Sequence, residues 1–263
     1  MKVWTVANQK GGVGKTTTVV SLAGLLSRRR CRTLMVDLDP HGSLSSYFGF
    51  NDDNPSRSVY SLFEAAEPAT VPVVKGTQFS NLSIITSSPA LAAVERDIGR
   101  REGMGLVLLK AIGQLRQRFD CVLIDCPPVL GVLMVNALAA CTRLIIPVQC
   151  DYLALKGLER MLDAVAMIRK ANQRRLPYLV VPTFYDRRTK ASRAVLETLQ
   201  HDYGRELWTS TIPVDTQFRE ASLAGMPLSL MSPRSRGAQA YAALLDQLLL
   251  NTPASLPKTT AVA

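Results

Sequence analysis

Apolar and polar positions along the chain follow two alternating rhythms. Short, nearly unbroken apolar runs occupy 2–7, 33–37, 82–86, 121–125, 143–147 and 178–183, with a weaker one at 208–212. Between them, apolar residues recur every three or four positions over stretches such as 16–29, 91–118, 155–173, 190–203 and 236–250. The first rhythm predicts strands and the second predicts helices. Strands alternating with helices imply an α/β fold, a mostly parallel twisted sheet with helices on both faces. Residues 51–80 break both rhythms: Asp52-Asp53-Asn54-Pro55, and later Pro68 and Pro72, predict loop around one short helix. There is no internal repeat.

At 263 residues the chain can bury a full core, and no composition shift divides it, so 1–250 is expected to form one domain. Asn251 to Ala263 carries two prolines, no aromatic residue and only Lys258 as a charge. That composition predicts a flexible C-terminal tail. No signal peptide, no helix-turn-helix domain ahead of the first strand and no membrane-spanning apolar stretch is visible, so a cytoplasmic protein is expected. The five cysteines, Cys31, Cys121, Cys126, Cys141 and Cys150, lie mostly in or beside apolar runs without metal-ligand spacing. They read as core thiols.

The chemistry concentrates where the first strand ends. Residues 8–17 read Asn-Gln-Lys-Gly-Gly-Val-Gly-Lys-Thr-Thr, between a strand pattern and a helix pattern. Such a turn aims backbone N–H groups at the positive end of a helix dipole, a nest that suits polyphosphate. Gly11, Gly12, Val13 and Gly14 bring the backbone close to the phosphates, Lys15 reaches the β and γ oxygens, and the Thr16 hydroxyl, followed by Thr17, serves Mg²⁺. Lys10 stands on the outer limb of the loop. In a free monomer it would point away from its own nucleotide, so it is expected to complete the site of a second subunit.

Two more strands end in carboxylates. Thr33 to Val36 leads into Asp37-Leu38-Asp39-Pro40-His41-Gly42, and Val122-Leu123-Ile124 leads into Asp125-Cys126-Pro127-Pro128. Alternate residues after a strand face the same way, and the carboxyl edge of a parallel sheet is where ligands bind. Asp125 is expected to hold Mg²⁺ through water, and Asp39, also near the metal, to position the attacking water. Phosphoryl transfer needs little more than a metal, a lysine or two and an oriented water.

This loop resembles the deviant phosphate loop of the MinD/ParA group of ATPases, which are P-loop NTPases. The segment Asp37 to Ser43 resembles the first switch of ParA-type partition ATPases, Asp125 to Gly131 the second, and Ile146 to Leu158 the strand and helix that follow. Ser232-Pro-Arg-Ser-Arg-Gly-Ala resembles the segment that packs on the adenine. The resemblance covers most of the chain. It implies ATP and Mg²⁺ as cofactors, with Lys10, Lys15 and Asp39 catalytic and Asp125 at the metal. Pro233 and the loop Thr183 to Asp186, with Tyr185 within it, would border the base. It also implies an ATP-bound homodimer, slow turnover, and a ParB-like or cargo adaptor protein that stimulates hydrolysis. Three residues depart from the pattern: His41 in place of glutamine, Val129 in place of serine, and Gln217 at the position of a DNA-contacting arginine.

Charge bears on the partner. The formal net charge is +10, and Lys156 to Arg236 alone holds fourteen Lys and Arg against eight Asp and Glu, a net of +6. Arg187-Arg188-Thr189-Lys190, Arg193, Arg219, Arg234 and Arg236 fall in that stretch. Several cations on one face are enough for nonspecific DNA binding, and the resemblance assigns that role to Arg188, with Arg193 and Arg219 as further candidates. Basic helix faces are otherwise solvated surface. The tail lacks the bulky apolar face of a lipid-binding amphipathic helix, so direct membrane binding is not expected. Cargo positioning, as of chemoreceptor arrays, and chromosome or plasmid partition are both compatible with the pattern. A MinD-like regulator acting on a protein or membrane scaffold without DNA is the alternative. A pump ATPase of the arsenite type would need fused halves or metalloid-binding cysteines, and a bacterial tyrosine kinase would need a tyrosine-rich tail, whereas the last tyrosine here is Tyr241.

Overall fold

The computed structural model describes residues 1–51, 54–64, 73–98, 104–172 and 175–250. The proposed tail, 251–263, lies outside them. Seven strands form one sheet: β1 (Lys2–Val6), β2 (Thr33–Asp37), β3 (Val74–Gly76), β4 (Leu82–Ile85), β5 (Cys121–Asp125), β6 (Arg143–Gln149) and β7 (Tyr178–Thr183). Their order is β3-β4-β2-β5-β1-β6-β7. All neighbours are parallel except the short edge strand β3, which runs antiparallel to β4.

The helices on the sheet are α1 (Lys15–Arg28), α2 (Ser43–Tyr47), α3 (Ser61–Glu64), α4 (Leu91–Ala93), α5 (Val107–Gln114), α6 (Val132–Ala140), α7 (Tyr152–Asn172), α8 (Lys190–Tyr203), α9 (Gln217–Leu223), α10 (Leu228–Met231) and α11 (Arg236–Leu250). The central strands are buried on both faces, which is why they read as unbroken apolar runs. Alternation along β1 still sorts its side chains: Val3 joins the core beneath α5, α6 and α7, whereas Trp4 and Val6 join the core beneath α1 and α11. Among the described residues no helix is long and apolar enough to cross a membrane.

Three sequence expectations need correction. The stretch 91–118 is not one helix: α4 runs into a π-helical turn at Val94–Ile98, and a 3₁₀ turn at Met104–Leu106 precedes α5. Gly105 lies in that 3₁₀ turn, and a glycine costs a helix interior about 1 kcal/mol relative to alanine. The start of α5 is set instead by a tertiary cap, since Asn136 accepts from the Leu108 N–H at 3.1 Å and donates to the Met104 carbonyl at 2.6 Å. The weak run 208–212 is no strand. It shadows β7 through isolated bridges at Leu207 and Pro213, with Thr209 and Ser210 turned to solvent between them. Finally, 51–80 contains β3 as well as a short helix, an edge pairing of three residues.

Topology places the site. Strand β1 sits between β5 and β6, and Val6 and Asp37 both pair in register with Asp125. The ends of β1, β2 and β5 therefore bring the glycine loop and the two carboxylate loops to one edge, where the strand order reverses.

Candidate functional site

The loop folds as its composition requires. Gly12 (φ 73°) and Gly14 (φ 90°) occupy the left-handed region that disfavours other residues. Gly14 is also the N-cap of α1 and offers no side chain to the first-turn N–H groups, so those donors are available to an anion. Buried Val13 anchors the loop through its carbonyl, which accepts from Thr183 Oγ1 at 2.9 Å. Thr18 Oγ1 donates to the Gly14 carbonyl at 2.7 Å and lies 2.9 Å from the Tyr241 hydroxyl of α11.

Inside the loop the polar groups converge. Gly11, Gly12, Gly14, Lys15, Thr16, Thr17 and Asp39 line a cleft of about 450 Å³ together with Ser43, Tyr47 and Pro128. Lys15 is buried, and its ammonium donates to the Lys10 carbonyl at 3.1 Å. Burial pulls its pKa down, against the opposing pull of Asp125, Cys126 and Asp39. Thr16 Oγ1 donates to Asp125 Oδ2 at 2.6 Å. Asp125 Oδ1 is fully buried and has no hydrogen-bond partner. Burial, reinforced by Asp37 on the adjacent strand, pushes the Asp125 carboxyl up to about 8. A buried carboxylate oxygen with unused capacity beside a hydroxyl is a hard-oxygen donor set. It fits Mg²⁺, which takes few protein ligands and keeps several waters.

The carboxylates Asp37 and Asp39 have divided duties. Asp37 is wholly buried, and its Oδ2 accepts from the Ser45 N–H at 2.8 Å and from Ser45 Oγ at 2.7 Å. Burial raises its pKa to about 6 despite those bonds. It pins α2 to the end of β2, while Asp39 faces the cleft. Asp39 Oδ1 accepts from the His41 N–H at 3.0 Å and lies 2.8 Å from His41 Nδ1.

Lys10 takes the opposite direction from Lys15. Its N–H donates to Asn8 Oδ1 at 3.0 Å, and its ammonium lies 3.7 Å from Asp151 Oδ1 at the start of α7. Its Cβ rests on Gly157 of α7, where an added methyl would stand 3.0 Å away. Lys10 is not among the residues lining the phosphate cleft.

A second cavity, about 440 Å³ and mostly apolar, adjoins the loop. Gly14, Thr17, Thr183, Phe184, Ile212 to Thr216, Phe218, Arg219 and Tyr241 line it. Its dimensions and apolar walls suit a planar base. Asp215 shapes one wall by accepting from the N–H groups of Gln217 at 3.1 Å and Gly237 at 2.9 Å. Of the residues expected to border a base, Thr183 lines this cavity. Tyr185 and Asp186 line a neighbouring cleft, and Pro233 lies in the exposed turn before α11. Phe184 belongs to the loop Thr183 to Asp186 that the resemblance places at the base, whereas nothing in the sequence singles out Phe218. Phe184 has a positive φ (51°) and packs over Gly14, a conformation no residue type announces.

The neighbouring cleft, about 810 Å³, is cationic: Arg187, Arg188, Arg234 and Arg236 line it with Gln217. Arg188 is tied to Asp186 by contacts of 2.7 and 2.9 Å, and that pairing lowers the Asp186 pKa to about 2. The other two DNA candidates lie elsewhere. Arg219 is on the rim of the apolar cavity, and Arg193 is exposed on α8. The arginine cleft was assembled by folding from segments some fifty residues apart, and only its individual members were legible.

Known proteins match this arrangement over almost its full length. The model of the AAA domain family matches residues 1–178. The sporulation initiation inhibitor protein Soj of Bacillus subtilis is 35% identical over 251 residues, covering 95% of this chain and 99% of Soj. The chromosome partitioning protein ParA of Myxococcus xanthus is 31% identical, covering 93% of this chain and 86% of that protein. A crystal structure of cobyrinic acid a,c-diamide synthase from Mycobacterium smegmatis, with bound ATP analog and magnesium, superposes with a TM-score of 0.82. It is 33% identical over 95% of this chain and 94% of its own. Similarity at this level, sustained from end to end around one phosphate loop, makes the chain a member of the ParA/MinD-type ATPase family.

Proposed function

We propose that this Mg²⁺-dependent ATPase works as an ATP-driven dimerisation switch that partitions or positions a cargo. The observation carrying the proposal is the divergence of the two loop lysines. Lys15 turns into the phosphate cleft, and Lys10, five residues earlier, turns out to Asp151. In this reading the Gly11–Thr17 backbone and Lys15 cradle the phosphates, and the apolar cavity around Phe184 and Phe218 takes the adenine. Thr16 and Asp125 hold the metal, with Asp39 close by. Mg²⁺, when bound, offsets charge on the β and γ phosphate oxygens. Asp39 accepts a hydrogen bond from the attacking water and so orients it toward the γ-phosphate.

Lys10 leaves Asp151 and reaches the phosphates of a second subunit. A cation inserted across the interface stabilises charge on the transferring group as an arginine finger does, which makes turnover depend on assembly. Hydrolysis then separates the subunits. A ParB-like or cargo adaptor protein would set the timing by stimulating turnover. Nonspecific DNA, held by Arg188 and its neighbours in the arginine cleft, would be the track, giving a nucleoid-associated or polar distribution.

The test is mass by light scattering and DNA affinity, each measured with ATP, with ADP and without nucleotide at two salt concentrations. An ATP-selective dimer that binds duplex DNA, more weakly at higher salt, is expected. A monomer in all three states would sink the switch. A dimer that ignores DNA would keep the switch and move the track to a protein scaffold.

A further inference from the structure

We infer that His41 is a positioning residue for hydrolysis: its imidazole fixes the rotamer of the Asp39 carboxylate. The inference rests on the reading of Asp39 as the group that orients water. Among the described residues, both donors that reach the Asp39 side chain come from His41, its N–H at 3.0 Å and its ring Nδ1 at 2.8 Å, and both fall on Oδ1. A carboxylate oxygen only accepts, so Nδ1 carries the proton and Nε2 faces outward. The ring is 83% exposed, whereas the Asp39 side chain is 16% exposed. Packing therefore does not dictate where the ring sits, and the bond to Asp39 is what orders it.

The turn beneath is already rigid. The Asp39 carbonyl accepts from Ser87 Oγ and from the Gly42 N–H, and Gly42 holds a left-handed φ of 63°. The backbone contributes one of the two bonds on Oδ1, and the imidazole adds the second, which narrows the two side-chain torsions further. With Oδ1 committed to His41, Oδ2 keeps its acceptor capacity for water, and Asp39 lines the phosphate cleft. A carboxylate aimed before ATP arrives spares the reaction the cost of ordering it later.

Steady-state hydrolysis of Mg·ATP by wild type, His41→Ala, His41→Asn, Asp39→Ala and the Asp39→Ala/His41→Ala double variant tests this. His41→Ala is expected to lower kcat about tenfold, the scale of one lost hydrogen bond to a charged group, with KM changed less than about twofold. His41→Asn should restore most of kcat, because its amide nitrogen occupies the place of Nδ1. On the Asp39→Ala background, His41→Ala should cost nothing further. A normal kcat in His41→Ala, an Asn variant as impaired as Ala, or an additive loss in the double variant would each overturn the inference. Wild type and Asp39→Ala hydrolysing at the same rate would overturn the role of Asp39, and this inference with it.

Discussion

The inner and outer walls of the phosphate loop are built to different standards. On the inner wall Lys15 and Asp125 are buried, Thr16 is bonded to Asp125 at 2.6 Å, and Lys15 is bonded to the Lys10 carbonyl at 3.1 Å. On the outer wall Lys10 has a loose ion pair at 3.7 Å. Around that edge of the sheet, Val129, Leu130, Tyr152 and Leu153 stand 60%, 41%, 70% and 63% exposed. Apolar side chains at that exposure beside an active loop are ordinary for an interface and wasteful for a permanent surface. One wall is built within the chain, with one Asp125 oxygen left without a hydrogen-bond partner, and the other leaves a lysine and four apolar side chains toward solvent.

That contrast can be broken by experiment. The largest effect is expected from Lys10→Ala, which should leave ATP affinity nearly intact but lower stimulated turnover by on the order of 10³, as loss of an arginine finger does; unchanged turnover would rule out the crossed lysine. Lys15→Ala attacks the inner wall and should weaken ATP binding itself by about 100-fold, by analogy with loss of a charge-assisted contact in a desolvated site. Isothermal titration with a nonhydrolysable analogue reads it, and tight binding would count against the loop assignment. Asp39→Ala should slow hydrolysis by about 100-fold while lengthening the life of the ATP dimer. A dimer lifetime equal to wild type would remove its water-orienting role. The smallest effect belongs to the solvent side. Arg188→Ala should weaken DNA binding severalfold on all sequences and reduce the salt slope by about one, and an unchanged slope would take Arg188 out of the DNA surface.

How legible each wall was follows from how it is encoded. The loop could be read because Gly12 and Gly14 hold conformations that glycine accepts at no steric cost, and because Lys15 and Thr16 are adjacent in sequence to what they serve. Asp39, not Asp37, is the carboxylate that the resemblance marks as catalytic. Burial separates them, since Asp37 spends both oxygens on Ser45 and the turn, and only the folded chain shows that. Only the Thr183–Phe184 side of the base cavity was legible, because Phe218 and Tyr241 come from distant segments whose apolar residues look like any core. The misreading of 91–118 has another cause. Apolar periodicity persists across its glycines, but the helix boundary is set by Asn136, an element away.

The position of β1 in the middle of the sheet also governs when the protein becomes competent during synthesis. The partner of Thr16 is 109 residues downstream of it, and Tyr241, which braces the loop through Thr18, is 223 residues downstream of Thr18. At translation speeds of about 5–20 residues per second, roughly 10 to 45 s separate the two. Until Tyr241 has been made, the loop lacks the hydroxyl that braces it through Thr18. The helix that closes the pocket is thus made well after the loop it closes, and the nucleotide pocket is complete only once both are present.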